Sequence, residues 1–120
     1  MKLAIVGSRS FFNFEVFKET LEDYLDKNKI FPTLIISGGA GGVDSLAELW
    51  AKDMNIPTQI FKADWNKLGK AAGMLRNTTI INTADKVVAF WDGTSRGTQD
   101  SIKKAKVSKK LLIIFDTKNT

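Results

Sequence analysis

The chain has 120 residues, 18 Lys and Arg against 13 Asp and Glu for a net charge of +5, and neither Cys nor His. This excludes disulfides, thiolate chemistry and a Ser-His-Asp triad, argues against a zinc or other metal site, and fits a reducing cytoplasm. The length suits one domain over residues 1–120, no apolar run approaches a membrane span, and Met1-Lys2 runs straight into a strand pattern, so neither a membrane segment nor a leader is expected.

Residues 2–6 form a short apolar run ending at Gly7, the pattern of a buried parallel strand. Gly7-Ser8-Arg9 then places a small residue, a hydroxyl and a guanidinium at its carboxyl end, and the guanidinium fork matches phosphate. Arg9 meets an anionic ligand or pairs with a carboxylate such as Asp44 or Asp92. Asn13 is placed to N-cap a helix carrying Phe17, Leu21, Tyr24 and Leu25 on one face. The phenylalanines at 11, 12 and 14 suit either the core or a self-association surface, and a homo-oligomer is expected.

After Pro32, residues 34–37 read as the second strand. Ser37-Gly38-Gly39-Ala40-Gly41-Gly42-Val43-Asp44 follows and opens into a helix over about 44–54. That order gathers backbone N–H groups and a helix start at one point, which attracts phosphate or carboxylate. The glycines leave little side chain to obstruct a ligand. The loop matches neither GxGxxG nor Walker A, so a tight turn that binds nothing stands beside the phosphate cradle as a reading. Asp44 suits an N-cap or, with Ser45 and Glu48 nearby, a carboxylate for ribose hydroxyls.

Ile56-Pro57 punctuates the chain, and residues 58–61 read as a third strand. A loop opening at Asp64-Trp65 leads to a helix over about 68–83; Trp65 caps the core or stacks on a base. Gly69 and Gly73 lie four apart in that helix, where each glycine costs about 1 kcal/mol relative to alanine. They point to close approach by another backbone or by a ligand. Arg76-Asn77, one turn on, reads as a polar clamp for phosphate or ribose.

Residues 87–91 make a fourth strand. Asp92-Gly93-Thr94-Ser95-Arg96-Gly97-Thr98 is a second candidate cradle, with the amides of Gly97 and Thr98 and the Thr98 hydroxyl facing a phosphate and Arg96 flanking it or pointing to solvent. A helix over 98–107 turns Ile102 and Ala105 inward, residues 111–115 are the fifth strand, and the tail 116–120 is expected to fray. The late lysines at 103, 104, 106, 109, 110 and 118 form a solvated face or a nucleic-acid patch; no aromatics interleave with them as stacking platforms. Five strands alternating with helices, most of them unbroken apolar runs, predict an α/β fold with a mainly parallel sheet covered on both faces. Ligands of such sheets bind beyond the carboxyl ends of the strands, at the topological switch point.

Taken together, Gly7-Ser8-Arg9 with Phe11, the loop from Ser37 to Asp44 with Leu46-Ala47 and Trp50-Ala51, Ala63-Asp64-Trp65, Gly69-Lys70 with Ala72-Gly73, Arg76-Asn77, Ala84-Asp85 and Ala89-Phe90-Trp91-Asp92-Gly93 with Ser95-Arg96-Gly97-Thr98 resemble the YspA-like branch of the SLOG superfamily. That superfamily includes the Smf/DprA DNA-processing proteins and the "lonely guy" (LOG) phosphoribohydrolases. The resemblance implies a Rossmann-like fold and a nucleotide or NAD/ADP-ribose-type ligand. In LOG enzymes a glutamate stands three residues after the Gly-Thr; here that position is Ser101, and Asp100 lies about 100° round the helix. Asn13 replaces a frequent Asp, Gly41 a frequent base, and Met74 and Ile80 the Pro and Met that usually flank Arg-Asn.

The expected function is a binding module, sensing or sequestering a small nucleotide-derived ligand and needing no further cofactor. Arg9 and Arg76 would neutralise phosphate and Asp44 would take ribose hydroxyls. The ligand set comprises Gly7, Ser8, Arg9, Phe11, Ser37, Gly38, Gly39, Ala40, Gly42, Asp44, Trp65, Gly73, Arg76, Asn77, Asp92, Gly93, Ser95, Gly97 and Thr98. A nucleotide N-glycosidase using Asp44 or Asp92 is the enzymatic alternative, since without His a carboxylate must be the base. Single-stranded DNA binding is the third.

Overall fold

A computed structural model of the chain describes residues 1–118. Five strands, β1 (Lys2–Gly7), β2 (Leu34–Ser37), β3 (Thr58–Ile60), β4 (Lys86–Trp91) and β5 (Leu111–Asp116), form one sheet in the order β3-β2-β1-β4-β5. Every neighbouring pair is parallel. The α/β expectation therefore holds, with a sheet that is wholly parallel. Within β1, Leu3 and Ile5 enter one hydrophobic cluster while Ala4 and Val6 enter the other. This is the two-residue period of a strand buried on both faces.

On the first face lie α1 (Phe14–Lys27) and α2 (Val43–Asp53); on the second lie α4 (Ala72–Thr83) and α5 (Arg96–Val107). Asn13 caps α1 as predicted, its Oδ1 accepting from Val16 N at 3.1 Å. Phe17, Leu21 and Leu25 are buried, with Tyr24 half-buried beside them. Of the three early phenylalanines, Phe11 and Phe14 join this cluster and only Phe12 stands out in solvent.

The expected helix over 68–83 is broken. Asp64 caps a four-residue helix α3 (Trp65–Leu68) by accepting from Lys67 N. Gly69 then adopts a φ of +57° and ends it, a 3₁₀ turn carries Gly69–Ala71, and α4 begins at Ala72. Gly69 and Gly73 thus do not share a helix face. The segment β3 is a short edge strand with all three residues exposed, where the sequence predicts one residue more. The last strand runs on to Asp116, so that residue belongs to the sheet and not to a tail; residues 119–120 of the expected frayed tail lie outside the described residues.

Several late lysines have structural partners. Lys104 Nζ bonds Asp100 at 2.7 Å and the Met74 carbonyl at 2.9 Å, and Lys110 Nζ bonds the Ile81 carbonyl at 2.8 Å in the last turn of α4. Cations there oppose the negative helix end. No helix among the described residues is long and apolar enough to cross a membrane.

Candidate functional site

The strand order reverses direction between β1 and β4, and their carboxyl ends part at Gly7 and Phe90. A Cβ on Gly7 would lie 2.6 Å from both the Phe90 carbonyl oxygen and the Val43 side chain, so only glycine lets the start of α2 sit so close to the strand end. Ser8 N donates to Phe90 O at 3.0 Å, and the Ser8 hydroxyl accepts from Asp92 N at 3.1 Å. Val43 N donates back to Ser8 O at 3.2 Å. Gly42, with φ +67°, is pressed against the Ser8 and Arg9 backbone, where a Cβ would run into the Ser8 carbonyl. The first loop and the glycine loop are thereby fastened into one rim.

Asp44 sits in the first turn of α2, whose N-cap is Gly42, so Asp44 is not the cap. Its side chain is buried, and Oδ2 accepts from Ala40 N at 3.1 Å. Burial pushes the Asp44 carboxyl above the usual carboxylate range; the Ala40 amide, Arg76 and Arg9 oppose this without cancelling it. Arg76 reaches across from α4, with Nη1 donating to Gly38 O at 2.6 Å and Nε to Asn77 Oδ1 at 3.0 Å. Burial lowers its pKa while Asp44 opposes the shift. A Cβ on Gly38 would be 2.6 Å from Arg76 Nη1 and 2.9 Å from Asp44 Oδ2, which explains that glycine. Asn77 is a strut: its Nδ2 donates to Gly97 O at 3.2 Å and to Asp100 Oδ2 at 3.1 Å, tying α4 to α5. The predicted polar clamp is accordingly half built into the fold, with Asn77 acting on Arg76 as well as on α5.

Opposite stands the amino end of α5. Asp92 Oδ1 accepts from Thr94 N at 2.9 Å and Ser95 N at 2.8 Å, and these amides hold its carboxyl below the usual range. Ser95 occupies the N-cap position but makes no capping bond; its hydroxyl lies 3.1 Å from that of Thr98. No acidic residue stands in the first turn, and nothing lies within 4 Å of where a Gly97 Cβ would be. The positive end of this helix is left open.

Between these walls lies a cavity of about 250 Å³. Arg9, Asp44 and Arg76 line it from one side, and Ser95, Gly97 and Thr98 from the other. Gly7, Ala40, Gly73 and Asn77 complete much of the wall, with Trp65 at the rim. Arg9 is exposed and forms no ion pair with Asp44, Asp92 or any other carboxylate among the described residues. Trp65 is 52% exposed, so it does not cap the core; its ring comes within 3.0 Å of a Cβ on Gly73. The close approach behind Gly73 is this indole.

Eight residues of the expected ligand set lie off this cavity, for identifiable reasons. Ser8 and Ser37 are fully buried; Ser37 donates to Glu48 Oε2 at 2.7 Å and accepts from Gly39 N, which holds the loop. Phe11 is a core residue stacked on Phe90. Gly42 is enclosed by backbone, Asp92 holds the Thr94 and Ser95 amides before α5, and Gly93 lies in that turn with φ +84°. Gly38 and Gly39 line a neighbouring hollow instead. Sequence reasoning missed Val6 and Ile80, which line the cavity as apolar residues, and Ser101, a buried residue that also lines it. The spacing after Gly97-Thr98 was the signal for Ser101: it lines the cavity, while Asp100 bonds Asn77 and Lys104 instead.

Comparison with known proteins agrees with this architecture. A family model described as the YspA, cpYpsA-related SLOG family matches residues 1–68. The Gene 61 protein of Mycobacterium phage D29 is 33% identical over 110 residues, covering 87% of each chain. The structure is similar to that of DNA processing protein A from Helicobacter pylori, reported for its single-stranded DNA binding mode, with a TM-score of 0.68 at 24% identity. That match covers 95% of this chain and 64% of the other, and it speaks for the fold.

Proposed function

The chain belongs to the YspA, cpYpsA-related SLOG family, and from that premise we propose that it binds a small nucleotide-derived ligand in the cavity at the β1/β4 switch point. One observation carries this reading: Arg9, a guanidinium with no ion pair among the described residues, lines the same cavity as an α-helix start with neither an acidic residue in its first turn nor a capping side chain. Both favour phosphate: Arg9 forms no ion pair among the described residues, and no side chain caps the helix start. Asp44, buried with one oxygen on Ala40 N, offers the other to ribose hydroxyls. Trp65 at the rim presents a stacking surface for a base.

Titration calorimetry of the full chain against ribonucleoside mono- and diphosphates, NAD and ADP-ribose tests this. Saturable binding is expected, weakened about tenfold or more in Arg9→Ala. Arg9 is exposed and unpaired, so its removal changes stability by no more than about 0.5 kcal/mol. No binding, or binding indifferent to Arg9, overturns the reading. Oligonucleotide binding that falls steeply with salt while these compounds fail to bind would favour the DNA alternative instead.

Asp44 supports a second, hydrolytic reading, because a buried carboxyl with a raised pKa in a cleft suits proton transfer. Against it, Ser101 occupies the position of the LOG acid and Asp100 is engaged elsewhere. Release of free base from any of these compounds, lost in Asp44→Asn, would establish the enzyme.

A further inference from the structure

The cavity does not end at its two arginines. A second hollow of about 320 Å³ adjoins it, and the two share Arg9, Ala40, Trp65 and Arg76 as a common wall. Their linings differ in charge. The inner one holds Asp44, three hydroxyls and the apolar Val6 and Ile80. The outer one is lined by the glycine loop and, among the described residues, by no carboxylate; Lys62 there joins Arg9 and Arg76.

Lys62 is held over the loop by a specific feature of it. Gly39 has φ +68°, and a Cβ there would lie 3.0 Å from Lys62 Cγ and 3.4 Å from Cε. The missing side chain is what lets the lysine stem lie across the loop. The Lys62 ammonium forms no ion pair among the described residues, and the Gly41 amide lining the same hollow has no acceptor among them. Three cations and a free amide around a hollow without an anion suit a highly charged phosphate. The inner compartment, with one carboxylate and several hydroxyls, suits a sugar and the phosphate attached to it.

We infer, resting on the ligand reading above, that the site is bipartite and takes a nucleoside diphosphate class of ligand. The sugar and proximal phosphate occupy the inner compartment. The distal phosphate lies in the outer one against Lys62, which makes Lys62 the residue that selects diphosphates over monophosphates.

Calorimetry at fixed salt with the mono- and diphosphates of the four ribonucleosides and with ADP-ribose tests this in wild type, Lys62→Gln and Lys62→Arg. Wild type is expected to bind the best diphosphate about tenfold tighter than its own monophosphate. Lys62→Gln removes that preference while leaving monophosphate affinity within about twofold, and Lys62→Arg retains it. Lys62 is exposed, so the substituted chains keep the fold. Monophosphate binding with no diphosphate preference overturns the bipartite site, and a preference that survives Lys62→Gln overturns the Lys62 assignment; both leave the ligand reading standing. Failure of every compound to bind overturns the ligand reading and this inference with it.

Discussion

The two glycine-bearing loops that face each other across the cavity are built on opposite principles. In the loop from Gly38 to Gly42, three of the four glycines are required by what presses against them, Arg76 and Asp44 at Gly38, the Lys62 stem at Gly39 and the Ser8–Arg9 backbone at Gly42, while only Gly41 has open space. Much of its polarity is internally satisfied, with Gly39 N on Ser37, Ala40 N on Asp44 and Gly38 O on Arg76. In the loop from Asp92 to Gly97 the glycines have empty space where a side chain would be, and the helix start they lead to has no side-chain cap. One loop is rigid because it is crowded; the other is receptive because it is not. Glycine richness therefore marks mainly close packing at one wall and open space at the other.

Substitution separates the two. Gly42→Ala places a methyl group against the Ser8 carbonyl at φ +67° and ψ −125°, and is expected to cost about 3 kcal/mol or more in urea denaturation. A loss under about 1 kcal/mol would show that the crowded loop yields easily and would dissolve the contrast.

Asp44 belongs to the crowded wall, with Oδ2 on Ala40 N, and sharpens the comparison through pH. Burial raises its folded pKa, so the charged carboxylate disfavours the fold at neutral pH, and that penalty fades as pH falls through the folded value towards and below the ordinary 3.8. Asp44→Asn is expected to raise Tm at pH 7, with the wild-type and variant curves converging in acid, while affinity for the proposed ligand falls. A gain in Tm independent of pH would assign the effect to packing.

Gly97→Ala is expected to disturb stability far less than Gly42→Ala. Its methyl group meets nothing within 4 Å and sits in a helix, so stability should change by less than about 1 kcal/mol. Ligand affinity should fall about tenfold, because the methyl group enters space the ligand occupies. Unaltered affinity would move the ligand away from the start of α5.

The order of strands and helices was legible because each depends on a local period: the apolar runs at 3–6 and 87–90 and the spacing of Phe17, Leu21 and Leu25. Asn13 capped α1 for an equally local reason. The break at Gly69 escaped because a continuous helix was consistent with the spacing, while Asp64 capping and a positive φ decided otherwise.

The amino-acid sequence by itself determined the α/β architecture and the end of the sheet at which the chemistry gathers, since backbone period and loop composition are written residue by residue. It also placed Arg9, Asp44, Arg76, Gly97 and Thr98 at the cavity. Only the tertiary structure decided that Ser8, Ser37 and Asp92 fasten loops, that Phe11 belongs to the core, and that Ser101 lines the cavity and Lys62 the hollow beside it. Whether a polar group is engaged or free depends on partners brought together from distant parts of the chain, as Asn77 and Gly97 are across 20 residues, and no local pattern encodes that meeting.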